Sequence, residues 1–413
     1  MKAHIRTGWF CVLTSVVLVF LNPFTELSAH ADSTQTLSAV QFSHPSGFYN
    51  TGFGLTLSHS DPEAIILYTL DGSEPDTSNI NGRTFRYKNQ YRQQFNQPDG
   101  PLLNASYVSV QYESGSPIEI VNRTSSTNVV SMKSSTFDAT PSYFPNYNIP
   151  KGTVVRARAY SAQLSSPITS NTYFVFAGGR STFNIPVISI SIQEDYLFDY
   201  NIGVYNAGID FDSWRQNSFA GPDGSTPANY RRRGDQWEYP AHFEFFEPGV
   251  ESPVLSQLIG IRIHGGWSRA DPFKTLRLYA RSDYGVSRFR HQIFPEQTYD
   301  NYNRLLLRNS GNDRGTTMLR DAAIQAVVEH MNFDTQAYRP AIVFINGEYW
   351  GIHNIRERLD HHYLSRVYGI ESDKIDILEA NASVVEGTDQ HYRAMVGFIR
   401  LHSPAVEANF DYI

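Results

Sequence analysis

Hydrophobic and polar residues alternate with period two at several places in the first half of the chain. "GTVVRARAYS" sets Val155, Ala157 and Ala159 against Arg156 and Arg158, as in an antiparallel strand with one buried and one wetted face. "AIILYTL" reads as a strand that turns at Asp71-Gly72, and "SNTYFVFAG" closes the segment. Short strands separated by turn signals predict an Ig-like all-β sandwich over residues 37–177. A polar stretch, roughly 78–147 and rich in Asn, Ser, Gln and Tyr, interrupts it and reads as an extended surface loop or insert. Residues 178–258 form a connector with first strands, "IPVISISI" and "AHFEFFE", the latter after a turn carrying Arg231, Arg232 and Arg233.

Beyond it the periods mix. "QLIGIRIHGG", "FKTLRLYAR" and "NRLLLRNS" read as strands. "TTMLRDAAIQAVVEHMN" places Leu319, Ala323, Ala326 (or Val327) and Val328 at helical spacing. "PAIVFINGEYWGIHNIRERLD" is a hairpin turned by Asn346-Gly347, the preferred type I′ pair. "DHHYLSRVYG" is a short helix capped by Asp360 and stopped by Gly369. The predicted fold class is therefore multidomain, an all-β sandwich followed by an α+β domain over 259–413.

The amino terminus adds a destination. Lys2 and Arg6 precede a short apolar run, and Ala29-His30-Ala31 offers small residues at a cleavage site, so residues 1–31 read as a secretory signal peptide. No later segment is long and apolar enough for a membrane span. The single cysteine, Cys11, falls inside the apolar run, which removes disulfides and thiolate zinc from the rest of the chain. Without Lys2, Arg6 and Glu26 the net charge moves from −7 to −8 with no basic block, arguing against nucleic acid as a partner. The expected setting is extracellular or cell-envelope and bacterial.

The candidate chemistry centres on "HGGWSRADPFKTLRLYAR", 264–281. A serine-hydrolase elbow needs G-x-S-x-G between a strand and a helix. Gly266-Trp267-Ser268-Arg269-Ala270 lacks the last glycine and runs into a strand. A phosphate loop fits better: Gly265 and Gly266 permit close backbone approach, Ser268 and Arg269 flank them, and Lys274 would supply a cation. The plain alternative is a glycine-bearing hairpin with an exposed lysine. Asp71, Glu74 and Asp76 would make a cation site or a solvated turn, and Asp360-His361-His362 a metal site or surface residues.

Two resemblances add to this. "GFYNTGFGLTLS", "ILYTLDGSEPD", "SPIEI", "GTVVRARAYS" and "SNTYF" resemble the chitobiase/β-hexosaminidase C-terminal sandwich, an accessory module without catalysis of its own. "RRRGDQWEYPAHFEFFE", "GIRIHGGWSRADPFKTLRLYAR", "LLLRNSGNDRGTTMLRDAAIQ", "RPAIVFINGEYWGIHNIRERLD" and "DKIDILE" are similar, in order and spacing over roughly 183–413, to the CotH family of spore-coat-type atypical protein kinases. That resemblance implies transfer of phosphate from ATP to serine of a secreted or envelope protein. It makes Lys274 the phosphate-facing lysine and the Gly265–Arg269 loop the nucleotide cover. It sets Glu357 beside the nucleotide, and Asp321, Glu329 or Glu357 as the carboxylate that orients the lysine. The family's late Asn-Asp and Asp-x-Asp segments, which would hold Mg²⁺, have no counterpart before Ile413. The sole Asp-x-Asp, Asp210-Phe211-Asp212, lies upstream in the connector. The expectation is a fragment with no catalytic or metal residues within this chain, ATP and Mg²⁺ belonging to a full-length form whose C-terminal part is missing. The alternative is a non-catalytic surface adhesin or scaffold that docks on polysaccharide.

Overall fold

The computed structural model describes residues 36–136, 147–162 and 164–412. Residues 1–31, read from the sequence as a signal peptide, lie outside them. Chain order runs through β1 (Gly47–Tyr49), β2 (Phe53–Leu55), β3 (Ile65–Thr69), β4 (Arg83–Tyr87), β5 (Leu103–Tyr107), β6 (Ile118–Ile120), β7 (Thr153–Ser161) and β8 (Thr169–Val175). In the main sheet β7 lies between β3 and β8, antiparallel to both, while β8 pairs in parallel with β1. The small β2–β6 sheet covers it, and Leu55, Ile120, Val155, Ala157 and Val175 fill the space between. The alternating face read from "TVVRARAYS" is thus the buried one. Its charged face is covered too: Arg156 is buried, donating to Gly72 O at 2.8 Å and to Ser170 Oγ at 3.1 Å.

The polar stretch 78–147 is not the expected surface loop. Its described part carries the β4–β5 hairpin and β6, and it sends Phe85, Tyr107 and Val130 into the core of the following domain. Its Lys88 is buried against Asp212 at 2.6 Å and Asp99 at 2.7 Å. Polar composition hid this because the anchors are few and far apart.

The second domain is a closed barrel of seven strands: β9 (Val187–Ser191), β10 (Tyr239–Phe246), β11 (Leu255–His264), β12 (Thr275–Tyr279), β13 (Arg304–Arg308), β14 (Tyr338–Ile345) and β15 (Glu348–Glu357). Their order is β9-β10-β11-β12-β13-β15-β14, and a parallel β9–β14 pairing closes the ring. Three barrel strands therefore begin inside the stretch taken as a connector. Inward positions such as Ile261, Leu276, Leu278, Leu305 and Leu307 form the core. The β14–β15 turn is made by Asn346 and Gly347 at φ 49° and 77°, as the Asn-Gly pair requires. Short helices decorate the barrel: α1 (Glu194–Phe198), α2 (Gly208–Asn217), α3 (Arg320–Val328), α4 (His361–Tyr368) and α5 (Gln390–Leu401). Asp360 caps α4 by accepting from His362 N–H at 3.0 Å and Tyr363 N–H at 3.2 Å, and Gly369 ends it at φ 69°. The apolar face read on α3 is not buried: Leu319, Ala323 and Ala326 are exposed and Val328 is half-buried, while Ala322 is the buried residue of the helix.

Sandwich and barrel lie within one compact unit, Thr36–Ile413. Phe48, Phe174 and Phe176 from the sandwich interlock with Phe246, Ile342 and Phe344 from the barrel. Beside them, Gly152 N–H donates to Gly347 O at 2.7 Å. No helix among the described residues is long and apolar enough to cross a membrane.

Candidate functional site

Strand alternation decides what the barrel shows to solvent. Along β11 and β12 the inward residues are Ile261, Ile263, Leu276 and Leu278, so Arg262, His264, Thr275 and Arg277 face outward. Arg262 stands directly opposite Arg277, and Leu306 of β13 stands opposite Arg277 from the other side. Like charges across a strand pair cost about 0.2–1 kcal/mol. Glu238 and Asp235 answer the cost at Arg262. Arg277 has no carboxylate partner among the described residues: it reaches His264 Nδ1 and Tyr279 OH, and its Nε meets no acceptor.

A cleft of about 820 Å³ opens over this face. One wall is cationic, with Arg232, Arg233, Arg269, Arg277 and Arg358. The other is aliphatic: Leu359 joins Leu378, Val384 and Val385 of a hairpin made by β16 (Ile377–Glu379) and β17 (Ser383–Glu386). Glu379 is its one acidic residue. A recess of about 300 Å³, lined by Ser268, Thr275, Arg308 and Asn309, shares His264 and Gly265 with the cleft. Burial and then the charges of Arg277, Arg358, Arg269 and Arg308 push the His264 imidazole down to about 3, so it is neutral at physiological pH.

The Gly265–Arg269 loop forms the rim. Gly265 sits at φ 115°, and a Cβ there would lie 2.7 Å from Ser268 Oγ, so glycine is required. Arg269 is buried and ties the rim to the triple-arginine turn. Its Nε donates to Gly265 O at 2.7 Å, and Nη1 donates to Tyr230 O at 2.9 Å and Arg232 O at 3.1 Å. Burial lowers its guanidinium to about 9, with Arg233 and Arg277 adding to the effect.

Gly265, Gly266 and Arg269 therefore line the cleft, with Ser268 in the recess beside it. Lys274 is elsewhere. It is completely buried, on the opposite strand face from Thr275, and donates from Nζ to Asp271 O at 2.7 Å. Its ammonium lies 4.4 Å from the centre of the Tyr230 ring and 5.0 Å from that of Tyr205. The three acidic candidates are engaged apart from it. Asp321 pairs with Arg308 at 2.8 Å and Arg356 at 3.4 Å. Glu357 is buried against Arg366 and Tyr299. Glu329 is exposed just past α3. The carboxylate that feels the lysine is Asp271, raised by burial and opposed by Arg314 and Lys274. Asp210 pairs with Arg232 and Asp212 with Lys88, so the Asp-x-Asp pair is two separate ion pairs. His361 meets Glu386. Among the described residues no three His, Cys, Asp or Glu gather as a metal-holding group. The signal that sequence reading passed over was arginine on the polar beat of successive strands: Arg262, Arg277, Arg308 and Arg358.

The barrel thus carries a glycine rim beside a cleft with one cationic wall. Residues 261–400 match the family model of the CotH kinase protein, and residues 44–142 that of the chitobiase/beta-hexosaminidase C-terminal domain. No curated protein matches the chain. The two matches fall in the order read from the motifs. The first starts midway along β11, after the barrel has begun, and the second stops before β7 and β8.

Proposed function

We propose that this kinase-like protein is exported and binds ATP by its phosphates in the arginine cleft, in the service of phosphate transfer to serine of a secreted or envelope protein. The observation that carries the reading is the cation excess at Arg233, Arg269 and Arg277, which no carboxylate among the described residues neutralises. Guanidinium groups recognise phosphate oxygens by paired, charge-assisted bonds. In this reading Arg233, Arg277 and Arg358 take the phosphates, and the β16–β17 side packs against the base. Neutral His264 receives Arg277 at Nδ1, leaving Nε2–H as the donor. Lys274 holds the base of the rim through Asp271 instead of meeting the ligand. Magnesium does not fit this lining, which offers Glu379 alone.

The test is calorimetric titration of the full chain with ATP, with and without Mg²⁺. A charge-assisted bond contributes about 1.5–3 kcal/mol, so Arg277→Met lowers ATP affinity about tenfold or more. Equal ATP affinity in Arg277→Met and the parent protein, or no binding by the parent, overturns the reading.

A further inference from the structure

A second cavity, about 320 Å³, lies between the two domains and shares no lining residue with the arginine cleft. Its walls are Leu70 and Val108, Val110 and Val129 from the sandwich and its insertion, with the Asn346–Glu348 turn of the barrel opposite. Five charged side chains reach it, and they are unequally satisfied. Each carboxylate is occupied. Glu348 accepts the N–H groups of Val129 at 2.6 Å, Val130 at 3.3 Å and Ser131 at 2.5 Å. Glu194 pairs with Lys133 at 2.8 Å, and Asp71 accepts Ser73 N–H at 2.9 Å.

The cations are not. Lys151 is 2 % exposed, yet its ammonium has one long bond, to Ile149 O at 3.4 Å. An ammonium carries three donors, so two of them have no acceptor among the described residues. Arg123 spends one bond, from Nη1 to Gly152 O at 3.2 Å. A buried ammonium left so is costly unless an anion completes it. Burial accordingly lowers the Lys151 ammonium, with Glu348 opposing. The free space equals roughly ten water molecules, at the small end of ligand pockets. Aliphatic walls and an under-used pair of cations define an amphiphilic anion.

We propose that this interdomain cavity binds a small organic carboxylate with an apolar body, its carboxylate on Lys151 and Arg123 and its body against Val108, Val110 and Val129. The site is independent of nucleotide binding. It gives the 78–147 insertion a second task, since the insertion supplies Arg123 and all four lining valines, Val108, Val110, Val129 and Val130.

The experiment is thermal denaturation and calorimetry of the full chain with hexanoate and benzoate, against hexan-1-ol and inorganic phosphate. The expected result is saturable stabilisation by the two carboxylates and none by the alcohol. Lys151→Met, which keeps the stem and removes the charge, abolishes it. Val108→Trp, which fills the cavity from its rim and leaves the lysine intact, abolishes it as well and covers the case in which the lysine variant does not fold. Absence of stabilisation by either carboxylate overturns the proposal. So does an undiminished effect in Val108→Trp, or phosphate acting as strongly as hexanoate.

Discussion

Glu244 of β10 offers the most quantitative prediction. It points from the barrel into the seam with the sandwich and is 1 % exposed. The hydroxyls around it are already engaged: Ser46 Oγ donates to Thr172 O at 2.8 Å, and Thr172 and Ser189 join Oγ1 to Oγ at 2.7 Å. Neither carboxylate oxygen accepts a well-formed hydrogen bond among the described residues, and the nearby Ser46 and Thr172 groups offset the effect of burial only in part. His242, two residues back on the same face, is pushed down to about 3 by burial and Arg156, so it is neutral and lends no charge. Burial raises the Glu244 carboxyl from its ordinary 4.5 to about 7. The folded state then holds a proton that the unfolded state has released, so stability falls as pH rises from about 4.5 to 7 and levels off above. That interval is worth roughly 3 kcal/mol at 1.36 kcal/mol per tenfold. Glu244→Gln removes the titration and keeps the shape. Urea midpoints for parent and variant, taken every half unit between pH 4.5 and 8, should show the stability difference moving in the variant's favour by about 3 kcal/mol as pH rises. A difference that does not vary with pH refutes the argument. Glu194, also raised to about 7 by burial, titrates in both proteins and cancels from the difference.

Two further outcomes are expected. Lys88→Met strands Asp212 in a buried site and should cost about 3–5 kcal/mol by urea denaturation, with Asp212→Asn in the same chain recovering part of it. Asp360→Ala removes the α4 cap and the 2.8 Å partner of Arg304 together, so it should cost about 2 kcal/mol. Hydrogen exchange should show the loss concentrated in residues 361–369.

Local chemistry was legible and its wrapping was not. The Asn346-Gly347 turn and the Asp360 and Gly369 stops each follow from one or two residues, and all stand where the sequence puts them. The barrel closes through pairings between β9 and β14, whose partners lie too far apart in sequence for any short-range pattern to announce. The rim glycines were found because glycine has few reasons to occur in pairs. The glycine pair before it and the family resemblance both point to Lys274 as the cation of the loop. Strand parity turns it inward, and the outward beat belongs to Thr275 and Arg277. One residue of register separates a side chain on the cleft face from a buried brace.

That closing pair also sets an order of assembly. β9 can bind β10 as soon as β10 has been made, but its other edge waits for Ile342–Ile345 of β14. Until then the all-buried segment Val187–Ser191 presents an unpaired apolar edge, the kind that recruits other chains. Ring closure of such long span is slow compared with hairpin formation. A chain released or cut before β14 should therefore aggregate through β9, and one that reaches β14 should not.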